Sequence, residues 1–427
     1  MRYVSTRGNA PAVDVDSALA AGLAPDGGLY VPETIPRTTG IDPAGGLART
    51  AAALLAPYFE DSRIAAALPA ICDDAFDFPA PLRRLDNDTF VLELFHGPTA
   101  AFKDFGARFL ARAVGALRRP DDRETTILVA TSGDTGAAVA AAFHRRPGFR
   151  VVVLYPDGRV SPRQAHGLGC WGDNVRALRV DGTFDDCQRL VKQALSDTAL
   201  RERITLGSAN SISLGRLLPQ AAYYAQSSLA FHRERGQPLN VVVPTGNLGN
   251  ATACWLARRM GLPIGDIVLA CNANDVLPRY FAGEDYTPAP TRATLANAMD
   301  VGAPSNFERL RHGHASDADL RDAMRAVSVD DAGILAAIDA HHARHDEAIC
   351  PHTATGFDVL ARLRANGDAR PWAVVATAHP AKFETIVEAR LGRRVDPPPA
   401  LAACLARPAN AEPMAASYDA LVDVLLK

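Results

Sequence analysis

Four segments of the chain repeat one pattern, in which an apolar, β-branched run is followed by a loop of small polar residues and then by a helical pattern. They are residues 126–143, 150–169, 240–261 and 372–392. Short apolar runs that alternate with helices are typical of buried parallel strands with helices on both faces of the sheet. The chain is therefore predicted to be an α/β protein. Its ligands are expected at the carboxyl ends of the strands, where these loops lie.

Composition limits the classes of partner and the cellular location. The 427 residues suffice for two or three domains, and a net charge of −3 predicts neither a nucleic-acid nor a membrane-surface partner. No apolar run approaches the roughly 18 residues that a membrane helix needs. Residues 1–16 contain no apolar signal segment. We therefore expect a cytoplasmic protein without a membrane partner.

The cysteine and histidine patterns predict no metal centre. The seven cysteines are scattered and contain no C-x-x-C, so neither a disulfide framework nor a zinc site is expected, and a reducing cytoplasm fits best. His341 and His345 are one helical turn apart, but the sequence has no H-E-x-x-H and no further ligand at a firm spacing. Solvated or capping histidines explain this stretch better.

Two strand-to-helix loops have residues suited to anions. The loop PTGNLGN, residues 244–250, places two glycines and two asparagines where a helix begins, and its N–H groups can hold a phosphate. The loop TSGDTG, residues 131–136, offers the hydroxyls of Thr131, Ser132 and Thr135 to a carboxylate or phosphate. An ordinary Gly/Asn turn and simple N-capping are the respective alternatives.

Two further stretches offer single groups. In SANSISLGRLLPQ, residues 208–220, Asn210, Ser211 and Arg216 lie close in sequence, and the arginine fork suits phosphate or carboxylate. Taken alone, that arginine fits a surface position. Thr377 follows the apolar run WAVV and can present a neutral hydroxyl to a ring nitrogen, although a satisfied buried threonine explains it equally simply.

Lys103 has unusual neighbours for a lysine. It lies between Phe102 and Phe105, just before a helical pattern. Desolvation and the positive end of a helix dipole both disfavour the charged amine, and such a lysine can form a Schiff base. Pyridoxal phosphate needs a lysine, a phosphate site and a partner for its pyridine nitrogen. Lys103, the loops and Thr377 together supply all three.

The chain resembles the threonine synthases, in the long form with an N-terminal domain, among the fold-type II pyridoxal-phosphate enzymes. The resemblance runs from end to end and rests on ten blocks of sequence. These are YVSTRG (3–8), GLAPDGGLYVP (22–32), FHGPTAAFKD (95–104), ATSGDTGAAV (130–139), LYPDGRVSP (154–162), SANSISLGRLLPQ (208–220), PTGNLGN (244–250), NAMDVGAPSNFERL (297–310), CPHTATG (350–356) and TAHPAKF (377–383).

The resemblance implies a role for each candidate residue. Lys103 would hold pyridoxal 5′-phosphate through a Schiff base and act as the catalytic amine, and Thr377 would face the pyridine nitrogen. The residues implied to bind the cofactor phosphate are Gly246, Asn247, Leu248, Gly249 and Asn250. Those implied to bind substrate are Thr131, Ser132 and Thr135 at the α-carboxylate, and Asn210, Ser211 and Arg216 at the phosphate. The resemblance leaves the role of Asp134 undefined.

The implied fold resembles the tryptophan synthase β-like enzymes, with mostly parallel sheets and an N-terminal α+β region. We predict an N-terminal domain at 1–82, a large cofactor domain at 83–124 and 201–427, and a small α/β domain at 125–200. The implied reaction converts O-phospho-L-homoserine and water to L-threonine and phosphate, in a monomer or a homodimer. A phospho-lyase that releases 2-oxobutyrate and a non-catalytic nucleotide-binding protein are the alternatives.

Overall fold

The computed structural model describes residues 1–86 and 88–427, which contain thirteen strands. In chain order they are β1 Tyr3–Ser5, β2 Tyr30–Pro32, β3 Leu82–Arg84, β4 Thr89–Glu93, β5 Thr125–Ala130, β6 Phe149–Pro156, β7 Val175–Asp181, β8 Thr205–Ser208, β9 Leu239–Pro244, β10 Ile264–Cys271, β11 Arg325–Ser328, β12 Trp372–Ala376 and β13 Glu412–Ala415.

The helices of the described residues surround these strands. They are α1 Val15–Ala21, α2 Leu47–Leu55, α3 Leu68–Ala75, α4 Lys103–Leu117, α5 Asp134–Phe143, α6 Pro162–Gly169, α7 Phe184–Ser196, α8 Thr198–Arg203, α9 Leu214–Leu217, α10 Ala221–Arg235, α11 Gly249–Arg259, α12 Val276–Phe281, α13 Phe307–His312, α14 Asp317–Ala323, α15 Asp331–His345, α16 Pro351–Ala365, α17 Glu384–Leu391, α18 Pro399–Leu405 and α19 Tyr418–Leu426. Short 3₁₀ turns occur at Pro43–Gly45, Ala56–Tyr58, Ala65–Ala67, Leu218–Gln220, Asn297–Met299 and Pro380–Phe383.

Two sheets form the body of the molecule. The six-stranded sheet has the order β11-β10-β9-β12-β4-β3 and is parallel apart from the β3–β4 pair, and the five-stranded sheet β13-β7-β6-β5-β8 is parallel throughout. Strand β9 is buried at every position, because helices cover both of its faces. The predicted α/β class with buried parallel strands is confirmed.

The four repeated segments divide between the two sheets. The first two form the neighbouring strands β5 and β6, and the last two form the neighbouring strands β9 and β12. The loops that follow neighbouring parallel strands meet at one edge of a sheet, so the loop at 245–248 and Thr377 come together. The pairing of strands, rather than their order in the chain, therefore builds the site.

The N-terminal region packs on this body. Strands β1 and β2 form their own antiparallel pair, and Tyr3 and Leu54 share one apolar core with Phe105 and Tyr223. The five-stranded sheet takes β8 and β13 from outside residues 125–200. The domain division given above stays a prediction. In the part of the chain that the structure describes, each helix is too short or too polar to cross a membrane.

Candidate active site

The turn before α4 is attached to the segment that follows β12. The Phe102 amide donates to the Thr377 carbonyl oxygen at 2.8 Å, and the His379 amide donates to the Ala100 carbonyl oxygen at 3.0 Å. The buried carboxylate of Asp104 accepts hydrogen bonds from the Thr99 amide at 2.9 Å and the Thr99 hydroxyl at 2.7 Å. These contacts fix the position of Lys103, where α4 begins.

Lys103 lies in an environment that favours the neutral amine. Its Nζ atom is 4.6 Å from the centre of the Phe102 ring. Burial among protein atoms, reinforced by the positive charges of Arg216 and Lys382 and opposed by Asp134, lowers the pKa of Lys103 to about 8. The side chain nevertheless lines a cavity, so part of it stays accessible. A free amine with this pKa can act as a nucleophile and as a base near neutral pH.

The loop between β9 and α11 forms a backbone cradle beside Lys103. Leu248 has φ of +62° and turns the chain into α11, whose first N–H groups have no intrahelical acceptors. A Cβ atom on Gly246 would lie 2.7 Å from the Met299 Cα atom, so a side chain does not fit there. All five residues of the predicted phosphate site, 246–250, line the same cavity as Lys103.

Side chains of this loop are held by their neighbours. The Asn247 Nδ2 atom donates to the Ser211 Oγ atom at 2.7 Å. The hydroxyls of Tyr223 and Tyr224 donate to the Asn250 Oδ1 atom at 2.7 and 2.8 Å. The Asn250 Nδ2 atom is buried without a hydrogen-bond partner among the described residues. Asn250 therefore keeps an N–H group free for a ligand.

Arg216 is a buried cation that lines the cavity. The residue is 0% exposed, and its Nη1 atom donates to the Ala209 carbonyl oxygen at 2.7 Å. The Nε and Nη2 atoms have no partner within residues 1–86 and 88–427. Burial lowers the pKa of Arg216 to about 10, so the guanidinium stays charged at neutral pH. A buried charge with free N–H groups is suited to an anionic ligand.

Close packing between helices brings Arg216 to Lys103. A Cβ atom on Gly106 would lie 2.5 Å from the Arg216 carbonyl oxygen, so α4 approaches α9 at glycine distance. The Gln220 Nε2 atom donates to that same carbonyl oxygen at 2.7 Å. The interpretation of Arg216 as a surface residue, which its local sequence favoured, is thus contradicted by its complete burial.

Thr377 and His352 complete the cavity wall. Thr377 is buried directly after β12, as its position behind the apolar run predicted. The Ala298 amide donates to the His352 Nε2 atom at 3.0 Å, and burial lowers the pKa of His352 to about 4. His352 is therefore a neutral ring here. In the part of the chain that is described, no group of three or more His, Cys, Asp or Glu side chains is placed to hold a metal ion.

Four predicted substrate residues lie outside this lining, namely Thr131, Ser132, Thr135 and Asn210. The Thr131 Oγ1 atom accepts hydrogen bonds from the amides of Gly133 at 3.0 Å and Gly136 at 2.9 Å, as the N-capping alternative required. Ser132 and Thr135 are half-buried beside it. Their contact with a substrate stays a prediction.

The sequence analysis missed Lys382. Its Nζ atom lies 2.7 Å from the Asp134 Oδ1 atom and donates to the Thr99 carbonyl oxygen at 2.8 Å. Burial alone would raise the pKa of Asp134, but the charge and hydrogen bond of Lys382 outweigh it and hold that pKa below its ordinary value. An acidic residue at a buried helix start needs a cation, and Lys382 stands only five residues after Thr377.

Three family models match successive parts of the chain. Residues 2–76 match the threonine synthase N terminus, residues 76–381 match the pyridoxal-phosphate dependent enzymes, and residues 353–424 match the threonine synthase C-terminal family. The threonine synthase of Haemophilus influenzae is 40% identical over 406 residues, which cover 91% of each chain. This chain belongs to the threonine synthase family.

Solved structures of threonine synthases share the whole fold. The Escherichia coli enzyme has a TM-score of 0.90 at 36% identity and covers 100% of this chain and 99% of its own. The Brucella melitensis threonine synthase with bound pyridoxal phosphate has a TM-score of 0.91 at 34% identity, with the same coverage. A Thermus thermophilus threonine deaminase has a TM-score of 0.55 at 17% identity, which shows a common fold only. The predicted fold-type II class is confirmed.

Threonine synthases use pyridoxal 5′-phosphate, and the residues of the cavity fit this group. The amine of Lys103 suits its aldehyde, and the first turn of α11, with the free Nδ2 atom of Asn250, suits its phosphate. The neutral hydroxyl of Thr377 lines the same cavity. The alternative of a non-catalytic nucleotide-binding protein is therefore not supported.

Proposed function

We propose that this chain converts O-phospho-L-homoserine and water to L-threonine and inorganic phosphate. The observation that carries the proposal is the presence of two anion sites in one cavity with Lys103. One is the backbone cradle at 246–250 and the other is the buried guanidinium of Arg216. A cofactor phosphate uses the first site only, so the second fits a substrate that has its own phosphate.

Lys103 moves the protons of the reaction. When bound, pyridoxal phosphate forms a covalent bond to the substrate nitrogen and withdraws electrons from the adjacent carbon atoms. The released amine of Lys103, with its pKa at about 8, takes the proton from Cα and then serves at Cβ. At the end it returns a proton to Cα.

Arg216 and Ser211 hold the substrate phosphate. The Ser211 Oγ atom already accepts from the Asn247 Nδ2 atom, so its own proton is available to donate. Two N–H groups of Arg216 are available as well. The positive charge stabilises the phosphate as it leaves Cγ, because the leaving group gains negative charge. The departed phosphate then takes a proton from the water that adds at Cβ.

Product analysis tests the proposal. The purified protein with its cofactor is incubated with O-phospho-L-homoserine, and phosphate, threonine and 2-oxobutyrate are measured in the same samples. Equal amounts of phosphate and threonine are expected. Phosphate matched by 2-oxobutyrate would instead assign the chain as a phospho-lyase, and absence of phosphate release from a protein with normal cofactor absorbance would overturn the substrate assignment.

The Lys103→Ala variant tests the role of the lysine. Its turnover is expected to fall by at least about 10³-fold, because both the covalent anchor and the base are lost. The absorbance of the lysine-bound cofactor should disappear at the same time. Lys382→Ala is the comparison, since Lys382 is a second buried amine near the cavity. Turnover by Lys103→Ala within tenfold of the unmodified protein would contradict the assignment.

A further inference from the structure

Two buried cysteines lie in contact although they are far apart in the chain. The Sγ atoms of Cys170 and Cys404 are 2.9 Å apart, and each residue is only 4% exposed. The other five cysteines of the described residues are buried and have no sulfur atom at hydrogen-bonding distance. The contact thus singles out one thiol pair, which the proposed reaction does not use.

The two thiols belong to different parts of the fold. Cys170 ends α6, which packs beside β7 of the five-stranded sheet, and Cys404 lies on α18 near the C-terminus. The Asn410 amide donates to the Gly169 carbonyl oxygen at 2.9 Å, so the backbone contacts continue past the thiols. A bond between the sulfur atoms would cross this interface.

The same interface touches the surroundings of the active site. Cys404 shares a small cavity with Gln164, Asp134 and Lys382. The Gln164 Nε2 atom of α6 donates to the Asp134 Oδ1 atom at 3.3 Å. The Arg163 Nη1 atom of α6 donates to the Ala381 carbonyl oxygen at 2.7 Å, next to Lys382. Helix α6 therefore connects the thiol pair with the buried ion pair beside Lys103.

We propose that Cys170 and Cys404 form a reversible disulfide that fastens α18 to the end of α6 and slows turnover. The oxidant is a hydroperoxide, for which hydrogen peroxide is the smallest example. The thiolate of one cysteine takes an oxygen atom and becomes a sulfenic acid, and hydroxide leaves. The second thiol attacks that sulfur, the S–S bond forms and water leaves. Overall, two thiols and one hydrogen peroxide give one disulfide and two waters.

Position and charge favour Cys404 as the first thiol to react. Only Leu401 and Cys404 are buried on the two-turn helix α18, so local opening of this helix exposes the sulfur at low cost. The hydrogen bond with Cys170 lowers the pKa of Cys404, and the positive charge of Arg407 acts in the same direction after burial opposes both. Arg407 itself stacks on Trp171, with its guanidinium carbon 4.8 Å from the ring centre.

The disulfide is expected to restrict movement around the site. Enzymes of this kind enclose their substrate, and opening often limits turnover. A covalent bond between α6 and α18 opposes any shift of α6, and with it of Gln164, relative to the segment that contains Lys382. We expect kcat to fall at least about fivefold on oxidation, which is the lower range of coupling between distant sites.

The test uses the full chain with its cofactor. Reduced protein is treated with hydrogen peroxide and digested without reductant, and the peptides are mapped by mass spectrometry. We expect one cross-linked peptide that joins Cys170 to Cys404, a loss of kcat, and recovery of both states with dithiothreitol. Cys404→Ser and Cys170→Ser should each keep their activity after peroxide. Cys187→Ser, which removes another buried thiol, should respond like the unmodified chain.

The outcomes separate this inference from the proposed function, because the peptide map needs no substrate. Absence of the cross-linked peptide would overturn the inference, and so would a cross-link that leaves kcat unchanged. Peroxide inactivation that persists in both Cys404→Ser and Cys170→Ser would overturn it as well. A reduced protein that releases no phosphate from O-phospho-L-homoserine would count against the proposed function instead.

Discussion

Arg216 and Lys382 are two buried cations near Lys103, and their surroundings differ in one respect. Arg216 is 0% exposed and Lys382 is 3% exposed. Lys382 has a carboxylate partner, Asp134, at 2.7 Å and also donates to the Thr99 carbonyl oxygen. Arg216 has no carboxylate partner among the described residues and keeps two nitrogen atoms without hydrogen bonds.

The difference indicates what each charge does. An ion pair such as that of Lys382 and Asp134 offsets the loss of solvation within the protein, and its main effect is to hold neighbouring elements in place. An unpaired buried guanidinium is costly for the empty protein and becomes favourable when an anion enters. We infer that Arg216 acts on substrate, whereas Lys382 acts on the structure around the site.

The largest expected effect is that of Arg216→Gln. Its kcat/KM for O-phospho-L-homoserine should fall by about 10²- to 10³-fold, because a buried phosphate loses its charged partner. The cofactor absorbance should remain, since the cradle at 246–250 is unchanged. Steady-state kinetics and an absorbance spectrum measure the two effects. Arg309→Gln is the control, because Arg309 is also buried but donates to the carbonyl oxygens of Tyr30 and Ile212.

Retention of kcat/KM by Arg216→Gln would remove the distinction between the two cations. A loss of kcat/KM as large in Arg309→Gln would show that the effect comes from damage to the fold rather than from the phosphate contact.

A smaller effect, on stability, is expected for Lys382→Met. This change leaves the Asp134 carboxylate buried without its cation, so the free energy of unfolding should fall by about 3 kcal/mol. The double variant Lys382→Met/Asp134→Asn removes both charges and should regain most of that loss. Urea denaturation of the three proteins measures it. Equal losses in the single and double variants would show that the pair contributes through packing alone.

The smallest expected effect is a pH dependence of the cofactor-free protein. The pKa of Lys103 is lowered from 10.5 to about 8, so the folded protein binds fewer protons than the unfolded chain between these values. This residue should therefore raise the free energy of unfolding as pH rises from 8 to 10.5, by about 2 kcal/mol. Urea denaturation at several pH values measures the rise, and Lys103→Met should lack it.

Arg216→Gln sharpens this third measurement. Removal of the Arg216 charge should move the pKa of Lys103 upward and reduce the rise, because that charge contributes to lowering it. Lys382→Met/Asp134→Asn removes two opposing charges and should change the rise less. A larger change in the double variant would contradict the view that Asp134 offsets Lys382.

The candidate site was predictable to the extent that its chemistry is local. Lys103, the loop at 246–250 and Thr377 each follow from a short pattern, and the structure gathers them in one cavity. The burial of Arg216 was not predictable from its own stretch, because burial depends on how closely α4 approaches α9. Lys382 was missed for the same reason, since its partner Asp134 is 248 residues away in the chain.

The sequence by itself determined the parallel α/β class, through four apolar runs followed by polar loops, and it determined the family through blocks that span the chain. Those features depend on neighbours in sequence, which act through hydrophobic periodicity and backbone conformation. Only the tertiary structure decided which charges are paired and which thiols meet, because Arg216, Lys382, Cys170 and Cys404 gain their partners through long-range packing. Their electrostatic and redox properties arise from desolvation and contact, which have no local pattern in the sequence.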